Sequence, residues 1–410
     1  MPVSRRGFLR LIGADGAIDG AFLSARGLEA HFAEAQAQGQ GQAQAQRTRP
    51  VLPPGVEEIR ISSNENPLGP GRAVLDAMLG KFPEAGRYPF NSSPTDSALM
   101  SALADKYRVK PENLVLGAGS QEILKNAMRA WVTPEKGLVT ALPTFENCTG
   151  FAKKYKLPIV EVKVDSMMKL DVESMIAAAS KGDAGLVFFN NPNNPTATVH
   201  GAKTVTDMVE RIRKASPSTV ILIDEAYHDY VTDPSYETAV PLALSTPNVL
   251  VARTFSKAYG MAGMRIGYGI GQAETMKKLA VLRMPYNVSV FGVVAAMASL
   301  GDPMHIATER ARNTDVRAFT VKALTEMGAK PADSQANFLF ADIGMPAKDF
   351  REACAKQGVM VGRDFPPHEK THCRISIGTM AEMQKATEVF RSVLKSAMST
   401  AAPGAGKGGR

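Results

Sequence analysis

This chain of 410 residues contains few cysteines and few groups of residues with the spacing of metal ligands. The three cysteines are an odd number at wide separations: Cys148, Cys354 and Cys373. They do not indicate a disulfide framework, and they lack the spacing of metal ligands. His368 and His372 have the spacing of a helical metal site, but Pro366 and Pro367 directly before them favour a loop. We therefore expect no metal site.

Long apolar runs are absent as well. No window approaches ~20 uninterrupted apolar residues, the length that a membrane-spanning helix needs, so we expect no span. No basic stripe is interleaved with aromatic residues. The net charge of +8 comes from Lys and Arg scattered among Asp and Glu, a pattern typical of a solvated surface rather than of a nucleic-acid partner. We reject nucleic-acid binding as the function.

What is present is an alternation of short apolar runs and longer amphipathic stretches between residues 95 and 310. The strand-like runs are residues 114–116, 138–141, 159–164, 186–189, 220–223, 249–252 and 265–270. The helix-like stretches include residues 97–107, 121–131, 172–179 and 205–214. This alternation predicts an α/β fold, with a large, mostly parallel sheet covered by helices on both faces.

The pattern changes after Pro303. A long helical stretch at residues 305–327 leads into short strands and helices that end near residue 398. This second pattern predicts a smaller α+β domain over residues 304–398, with residues 47–92 as its N-terminal part. The large domain is predicted over residues 93–303, and residues 399–410 are predicted to be a disordered tail.

The N-terminal segment carries an export pattern. Residues 4–10 (Ser-Arg-Arg-Gly-Phe-Leu-Arg) match the twin-arginine leader almost residue for residue, and small residues at 33–37 could serve as a cleavage site. A Gln/Ala/Gly tract follows to Gln46 as a flexible spacer. We therefore predict that residues 1–46 direct export to the periplasm through the twin-arginine translocase. Because Asp15 and Asp19 interrupt the apolar region, a basic N-terminus on a cytoplasmic protein is the alternative.

Three of the strand-like runs end in reactive polar groups. Residues 186–189 lead to Asn194, residues 220–223 lead to Asp224 and Tyr227, and residues 249–252 lead to Lys257. Ligands of open α/β sheets bind at the carboxyl ends of strands, so these groups are expected to converge. A lysine that reacts with an aldehyde and moves a proton, beside a carboxylate that pairs with a ring nitrogen, is what pyridoxal phosphate requires.

A glycine-rich turn could hold the phosphate of such a cofactor. The run at residues 114–119 ends in glycines before a helical stretch, so Gly119, Ser120 and Gln121 would aim backbone amides at a phosphate. Ser256 and Arg265 would close the other side. Alone, this turn is equally typical of a tight loop or of half a dinucleotide fingerprint. The order and spacing of all these groups together favour pyridoxal phosphate.

With these motifs the chain resembles the fold-type I pyridoxal phosphate-dependent aminotransferases of class I/II, and more narrowly it is similar to the histidinol-phosphate aminotransferases. The matching segments run from about residue 56 to near Met398. The most specific is residues 253–268, Arg-Thr-Phe-Ser-Lys-Ala-Tyr-Gly-Met-Ala-Gly-Met-Arg-Ile-Gly-Tyr. The resemblance implies an enzyme that works as a homodimer.

The resemblance also implies roles for individual residues. The implied catalytic residues are Lys257, which would bind the cofactor covalently, Asp224 at the ring nitrogen and Tyr227 at the ring oxygen. The other implied cofactor-binding residues are Tyr88, Gly119, Ser120, Gln121, Phe145, Asn194, Thr254, Ser256 and Arg265. In this set Phe145 would stack on the ring, and Tyr88 would reach the phosphate bound by the neighbouring subunit. The implied substrate-binding residues are Asn66, Arg363 and Arg374, with Arg374 on a carboxylate and Arg363 on a distal anion.

The predicted function is transfer of an amino group between a 2-oxo acid such as 2-oxoglutarate and an amino acid or an amino-alcohol phosphate of the histidinol-phosphate kind. Departures from the family pattern favour a different distal group on the substrate: Leu68 replaces a tyrosine, Gln121 an aspartate, Asn147 and Cys148 a more aromatic pair, and Ala197 a glycine. The alternatives are a decarboxylase, racemase or other amino-acid lyase on the same scaffold, a transaminase for aromatic or other amino acids, and a non-catalytic pyridoxal phosphate sensor.

Overall fold

A computed structural model describes residues 58–88 and 98–401 of the chain, with side chains to Ala397. These residues belong to one compact unit, Leu52–Arg410. The predicted export leader and spacer, residues 1–46, lie outside the described residues, as do residues 402–410 of the predicted tail.

Helices and strands alternate through most of the described chain. The α-helices are α1 (Arg72–Lys81), α2 (Ala98–Tyr107), α3 (Ser120–Trp131), α4 (Asn147–Tyr155), α5 (Val172–Ala179), α6 (Ala202–Ala215), α7 (Val240–Ser245), α8 (Ala273–Ala280), α9 (Val290–Leu300), α10 (Pro303–Glu326), α11 (Ala347–Lys356) and α12 (Met380–Ala401). The strands are β1 (Ile59–Arg60), β2 (Leu114–Gly117), β3 (Gly137–Leu142), β4 (Ile159–Lys163), β5 (Ala184–Asn190), β6 (Val220–Asp224), β7 (Val249–Thr254), β8 (Gly267–Gly271), β9 (Lys330–Pro331), β10 (Phe338–Asp342), β11 (Val359–Met360) and β12 (His372–Ser376).

The large sheet has seven strands in the order β2-β8-β7-β6-β5-β3-β4. Strands β4, β3, β5, β6 and β7 pair in parallel, whereas β8 is antiparallel to both of its neighbours. The prediction of a mostly parallel α/β sheet is confirmed. The strand predicted from residue 265 begins at Gly267 instead, because Arg265 has a left-handed backbone (φ 53°) that interrupts an extended strand.

The central strands are apolar without interruption because both of their faces are buried. Successive residues of β6 point to opposite faces, so Ile221 and Ile223 join one hydrophobic core while Leu222 joins the other. Helices cover the two faces, and the buried strands hold the polar groups at their carboxyl ends in fixed positions.

A third hydrophobic core lies around a smaller antiparallel sheet, in the order β12-β10-β9. It includes Phe350 and Phe390 from α11 and α12, and also Ile59 and Ile61 from the beginning of the described chain. Strand β1 pairs in parallel with β11, so residues near position 60 pack with the C-terminal region. The division into two domains, with its boundaries, stays a prediction. The last helix continues to Ala401, past the predicted boundary at residue 398.

Helices α9 and α10 follow one another with a bend of 81°. The break is at Asp302, whose side chain accepts a hydrogen bond from the His305 N–H (3.2 Å) and caps α10. Among the described residues, no single helix has both the length and the apolar character to cross a membrane, and these two pass such a test only as a bent pair.

Candidate active site

The register of the large sheet brings the predicted polar groups to one edge. Asn190 at the end of β5 lies opposite Asp224 at the end of β6, and Asp224 lies opposite Ala252 of β7. Two residues further along β7, Thr254 lies opposite Gly267 of β8. The ends of β5, β6 and β7 therefore deliver their side chains, and the loops that follow them, to a common place.

Asp224 is a buried carboxylate, with 2% of its surface exposed. Burial raises its pKa to about 6, against the opposing effects of the Asn190 side chain, the Ala226 N–H and the charge of Lys257. In the described part of the chain it forms no ion pair, although its carboxylate accepts a hydrogen bond from Ala226 (3.2 Å). A cation placed against this carboxylate would restore its ionised form.

Lys257 lies in the loop after β7. Its Nζ donates to the Ser63 carbonyl (3.3 Å) and lies 5.6 Å from the centre of the Tyr227 ring. The loop closes tightly against the chain: Gly260 has a positive φ of 70°, and a Cβ there would lie 2.1 Å from the Gly69 carbonyl oxygen. This packing holds the loop that carries Lys257 against residues 63–69 of the chain.

Tyr227 receives hydrogen bonds from two asparagines on its hydroxyl. Asn194 donates at 3.4 Å and Asn64 donates at 3.2 Å. Asn64 is held by Ser376, which bonds both its N–H (2.8 Å) and its side-chain oxygen (2.7 Å). Sequence reasoning missed Asn64, although it lies in the Ser63–Pro70 segment that carries part of the resemblance. Its position beside Tyr227 depends on contacts 312 residues away along the chain.

The predicted phosphate-binding groups form a cradle at the start of α3. Gly119 caps this helix with a positive φ of 75°. Thr254 bonds Ser256 (2.9 Å), and Arg265 reaches both Ser256 (3.3 Å) and the Ala118 carbonyl (3.2 Å). A helix N-terminus, two hydroxyls and a guanidinium at one point are the donors that a phosphate requires.

Arg374 is a buried cation, 6% exposed, on the opposite side of Asn194. It donates to the Asn194 side chain (2.8 Å) and to the Ser62 carbonyl (2.6 Å), while its Nε has no hydrogen-bond partner. Burial lowers its pKa to about 10. No carboxylate bonds this guanidinium among the residues with described side chains. A buried arginine with neutral partners has the charge and the unused donor to bind an anion.

Arg363, the second predicted anion-binding residue, is paired already. Both of its terminal nitrogens bond the carboxylate of Glu146, one of them at 2.5 Å. Nothing in the sequence spacing signals this pair, since its members are 217 residues apart. Sequence reasoning therefore missed Glu146.

The remaining predicted residues are less closely joined to the site. Asn66 uses its amide group on Ala258 (3.0 Å) and its oxygen on Leu68 (3.0 Å), which shapes the local turn. Gln121 is exposed, and Phe145 is half-buried against the core beside α4. Tyr88 is 74% exposed and stacks on Tyr286 at 4.2 Å between ring centres. The roles predicted for these residues stay predictions.

The described residues fit pyridoxal phosphate. The buried Asp224 needs a cation, which a protonated pyridine nitrogen supplies, and the cradle at Gly119, Ser256 and Arg265 has the donors for its phosphate. Lys257 follows Ser256 of this cradle in the chain, and its amine lies 5.6 Å from the centre of the Tyr227 ring. Of the His, Cys, Asp and Glu residues in the described ranges, none form a group of three or more that could hold a metal ion.

Comparisons with known proteins agree with this geometry. The model of the family described as aminotransferase class I and II matches residues 56–390. A histidinol-phosphate aminotransferase of Moorella thermoacetica is 33% identical over 342 residues, which cover 83% of this chain and 86% of that protein. Histidinol-phosphate aminotransferase 2 of Bacillus cereus is 34% identical over 333 residues, covering 81% and 87%.

The solved structures show the same fold. A histidinol-phosphate aminotransferase of Sinorhizobium meliloti, crystallised in complex with pyridoxal-5'-phosphate, superposes with a TM-score of 0.77 at 26% identity. The superposition covers 83% of this chain and 92% of that one.

Proposed function

This chain belongs to the class I and II aminotransferase family and is a pyridoxal phosphate-dependent transaminase, and we propose that its amino donor carries one carboxylate or phosphate group that binds Arg374. A histidinol-phosphate-like amino-alcohol phosphate fits this description, and a 2-oxo acid such as 2-oxoglutarate is the proposed acceptor. The observation that carries the proposal is the buried guanidinium of Arg374, whose partners among the described residues are neutral. The names of the relatives, which act as histidinol-phosphate aminotransferases, point to the same substrate class.

The geometry assigns a task to each group. Arg374 would hold the anion of the substrate, so that its amino-bearing carbon lies near Lys257. The Lys257 amine would take the proton from that carbon and would donate a proton again in the following step of the amino transfer. Pyridoxal phosphate, when bound, supplies the electron sink for the charge left behind. Asp224 would keep the ring nitrogen protonated, and Tyr227 with Asn194 would bond the ring oxygen.

The proposal is tested by the half-reaction of the purified holoenzyme. Histidinol phosphate, histidinol and glutamate would each be mixed with the enzyme, and formation of pyridoxamine phosphate would be followed by absorbance and mass spectrometry. We expect conversion with histidinol phosphate, and a loss of at least tenfold in kcat/KM for histidinol, which lacks the anion. Equal rates for histidinol and its phosphate would contradict the anion site.

Three further experiments check the role of Lys257 and separate the alternatives. Lys257→Ala is expected to remove the phosphopyridoxyl adduct that borohydride traps at residue 257, while circular dichroism stays unchanged. Release of carbon dioxide from glutamate without formation of 2-oxoglutarate would instead favour a decarboxylase. If a range of amino donors leaves the holoenzyme spectrum unchanged, a non-catalytic sensor would be favoured.

We also propose that the enzyme is a homodimer. Large apolar side chains are exposed on α1, directly after it and on the segment before α9, namely Leu75, Leu79, Phe82, Val281 and Met284. Contacts between the rings of Phe82 and Phe291 (4.9 Å) and of Tyr88 and Tyr286 link these segments into one surface. A continuous apolar surface of this kind is typical of an interface. A second copy on it would bring Tyr88 of that copy toward this site.

Export through the twin-arginine translocase is a further part of the proposal, and it rests on residues 4–10 alone. That pathway carries folded proteins, which suits an enzyme that binds its cofactor before export. Fractionation of cells that express the chain with Arg5 and Arg6, or with lysine at both positions, tests it. If the arginine and lysine forms divide between periplasm and cytoplasm in the same ratio, export through this pathway is contradicted.

A further inference from the structure

The ion pair between Arg363 and Glu146 lies next to the anion site. Glu146 directly follows Phe145 and precedes α4, and Arg363 lies two residues before Phe365. The Arg363 guanidinium stacks on the Phe365 ring at 4.1 Å from the ring centre, and the Arg374 guanidinium lies 4.8 Å from the same centre. The two arginines are therefore within about 9 Å of each other.

The charges of this pair reach Arg374. Burial is the main cause that lowers the pKa of Arg374, the positive charge of Arg363 lowers it further, and the negative charge of Glu146 raises it. The three charged groups thus form one electrostatic unit around the Phe365 ring. Within this unit, one cation has a carboxylate partner and the other has neutral partners.

We propose that Glu146 is a specificity-determining residue, whose carboxylate occupies Arg363 and disfavours substrates that carry a second anionic group. The proposal rests on the proposed function, in which Arg374 binds the first anion. A substrate with a neutral distal group leaves the pair intact. A dicarboxylate must displace Glu146 from Arg363, or accept its repulsion, so the proposed acceptor 2-oxoglutarate binds about tenfold more weakly than it would without this carboxylate.

Two opposing features set the free energy that is needed to displace Glu146 from Arg363. A planar guanidinium bonds a carboxylate through two parallel N–H groups, which is stronger than a single-point contact. The guanidinium also lies over the Phe365 ring, which adds a cation–π attraction. The side chains are 34% and 43% exposed, so solvent weakens the pair, and the expected selectivity is modest. We expect about a tenfold effect, which corresponds to about 1.4 kcal/mol.

Binding of two small acids to the holoenzyme tests the proposal without turnover. Glutarate and valerate have the same chain length, but valerate lacks the second carboxylate, and neither carries an amino group. Titration calorimetry would give the Kd of each acid for the wild-type enzyme, Glu146→Gln and Glu161→Gln. Glu161→Gln is the matched control, because it also removes one carboxylate from an ion pair, with Lys153 (2.9 Å) on the surface.

We expect Glu146→Gln to tighten glutarate about tenfold and to change valerate by less than twofold. Glu161→Gln should change neither. In the double variant with Arg363→Gln, the gain for glutarate should disappear, because the released guanidinium is then absent. An equal response of glutarate and valerate to Glu146→Gln, or a gain that persists in the double variant, would overturn the proposal.

The backbone at Glu146 keeps the test interpretable. Residue 146 caps α4 through its carbonyl, which accepts the Gly150 N–H at 2.8 Å, and not through its side chain. Glutamine preserves this contact and the shape of the side chain, so Glu146→Gln should fold as the wild type does.

Amino donors extend the test to catalysis. The ratio of kcat/KM for glutamate to that for the isosteric glutamine should rise about tenfold in Glu146→Gln, and a ratio that stays unchanged would contradict the proposal. The binding and kinetic results separate this proposal from the proposed function. If the wild-type enzyme converts none of the donors, the proposed function fails, while the glutarate and valerate titrations still decide the role of Glu146.

Discussion

Two charged residues of the candidate site are buried without a counter-charge among the described residues, and bound ligands would supply one to each. Asp224 is buried without an ion-pair partner among the described residues, and Arg374 is a buried cation whose Nε is unsatisfied. Each is costly to bury alone, since a charge in a medium of low dielectric constant needs a counter-charge. The site is therefore organised for bound anions and cations, and its empty form should be the less stable one.

Asp224→Asn should stabilise the cofactor-free protein at neutral pH. The folded-state pKa of Asp224 is about 6, above the ordinary aspartate value of 3.8, because burial disfavours the ionised form. In the wild type, burial of Asp224 does not lower the free energy of unfolding below pH ~4, where the carboxyl group is protonated in both states. The free energy of unfolding then falls as the pH rises from ~4 through ~6. The loss of free energy of unfolding is at most about 3 kcal/mol.

Urea unfolding of the cofactor-free wild type and of Asp224→Asn at several pH values measures this. The free energies of unfolding should converge near pH 4 and differ most at pH 7 to 8, with the variant the more stable. The same variant should bind pyridoxal phosphate more weakly, since the carboxylate proposed to pair with the ring nitrogen is gone. A constant difference at every pH would show that Asp224 does not titrate as described.

At the scale of elements, the junction of β2 and α3 positions the phosphate cradle. Gly119 occupies a left-handed conformation that side chains with a Cβ rarely adopt, and it lies against the Arg265 side chain. The helix can therefore begin at Ser120, and the guanidinium of Arg265 lies directly against this turn. A residue with a Cβ at this turn would disturb both features.

Gly119→Ala is expected to weaken cofactor binding. A Cβ at residue 119 would lie 2.4 Å from Nη2 of Arg265, so the guanidinium must leave its position. The positive φ adds a cost of about 1 kcal/mol for alanine. We expect the Kd of pyridoxal phosphate to rise by about tenfold or more and the free energy of unfolding to fall by about 1–2 kcal/mol.

Equilibrium dialysis and urea unfolding would check both values. Gly263→Ala is the matched control, because a Cβ at residue 263 meets no atom within 4 Å. The control should bind the cofactor as the wild type does. If the two alanine variants behave alike, the cradle does not depend on Gly119.

At the scale of the whole molecule, the exposed apolar surface on α1 and the segment before α9 bears on assembly. Leu79 is 63% exposed and Val281 is 77% exposed. Side chains of this size are stabilised when a second copy covers them. The same assembly would place the exposed Tyr88 against a partner, as the resemblance implies.

The double variant Leu79→Glu, Val281→Glu is expected to be monomeric, because like charges and buried carboxylates would oppose association. Sedimentation velocity would measure its mass beside the wild type and a control, Met167→Glu. Met167 is also exposed, at 64%, but lies in the loop after the edge strand β4. A dimer of the double variant with unchanged stability would place the interface elsewhere.

Much of the fold could be predicted from the sequence because local patterns dominate it. Uninterrupted apolar runs such as residues 220–223 identify strands buried on both faces, and the helices between them indicate parallel connections. The candidate site was predicted in the same way, since Asp224 directly follows residues 220–223 and Lys257 lies five positions after residues 249–252. The start of β8 was harder to place, because the left-handed backbone of Arg265 leaves no mark in the apolar pattern.

The sequence by itself determined the chemistry of this protein, because the lysine, the carboxylate and the glycine turn are recognisable from their order along short segments. The tertiary structure alone decided which distant residues complete the site. Asn64 reaches Tyr227, and Glu146 occupies Arg363, through contacts that span 163 and 217 residues of chain. Such pairs depend on how loops from separate strands pack, and no local propensity encodes that distance.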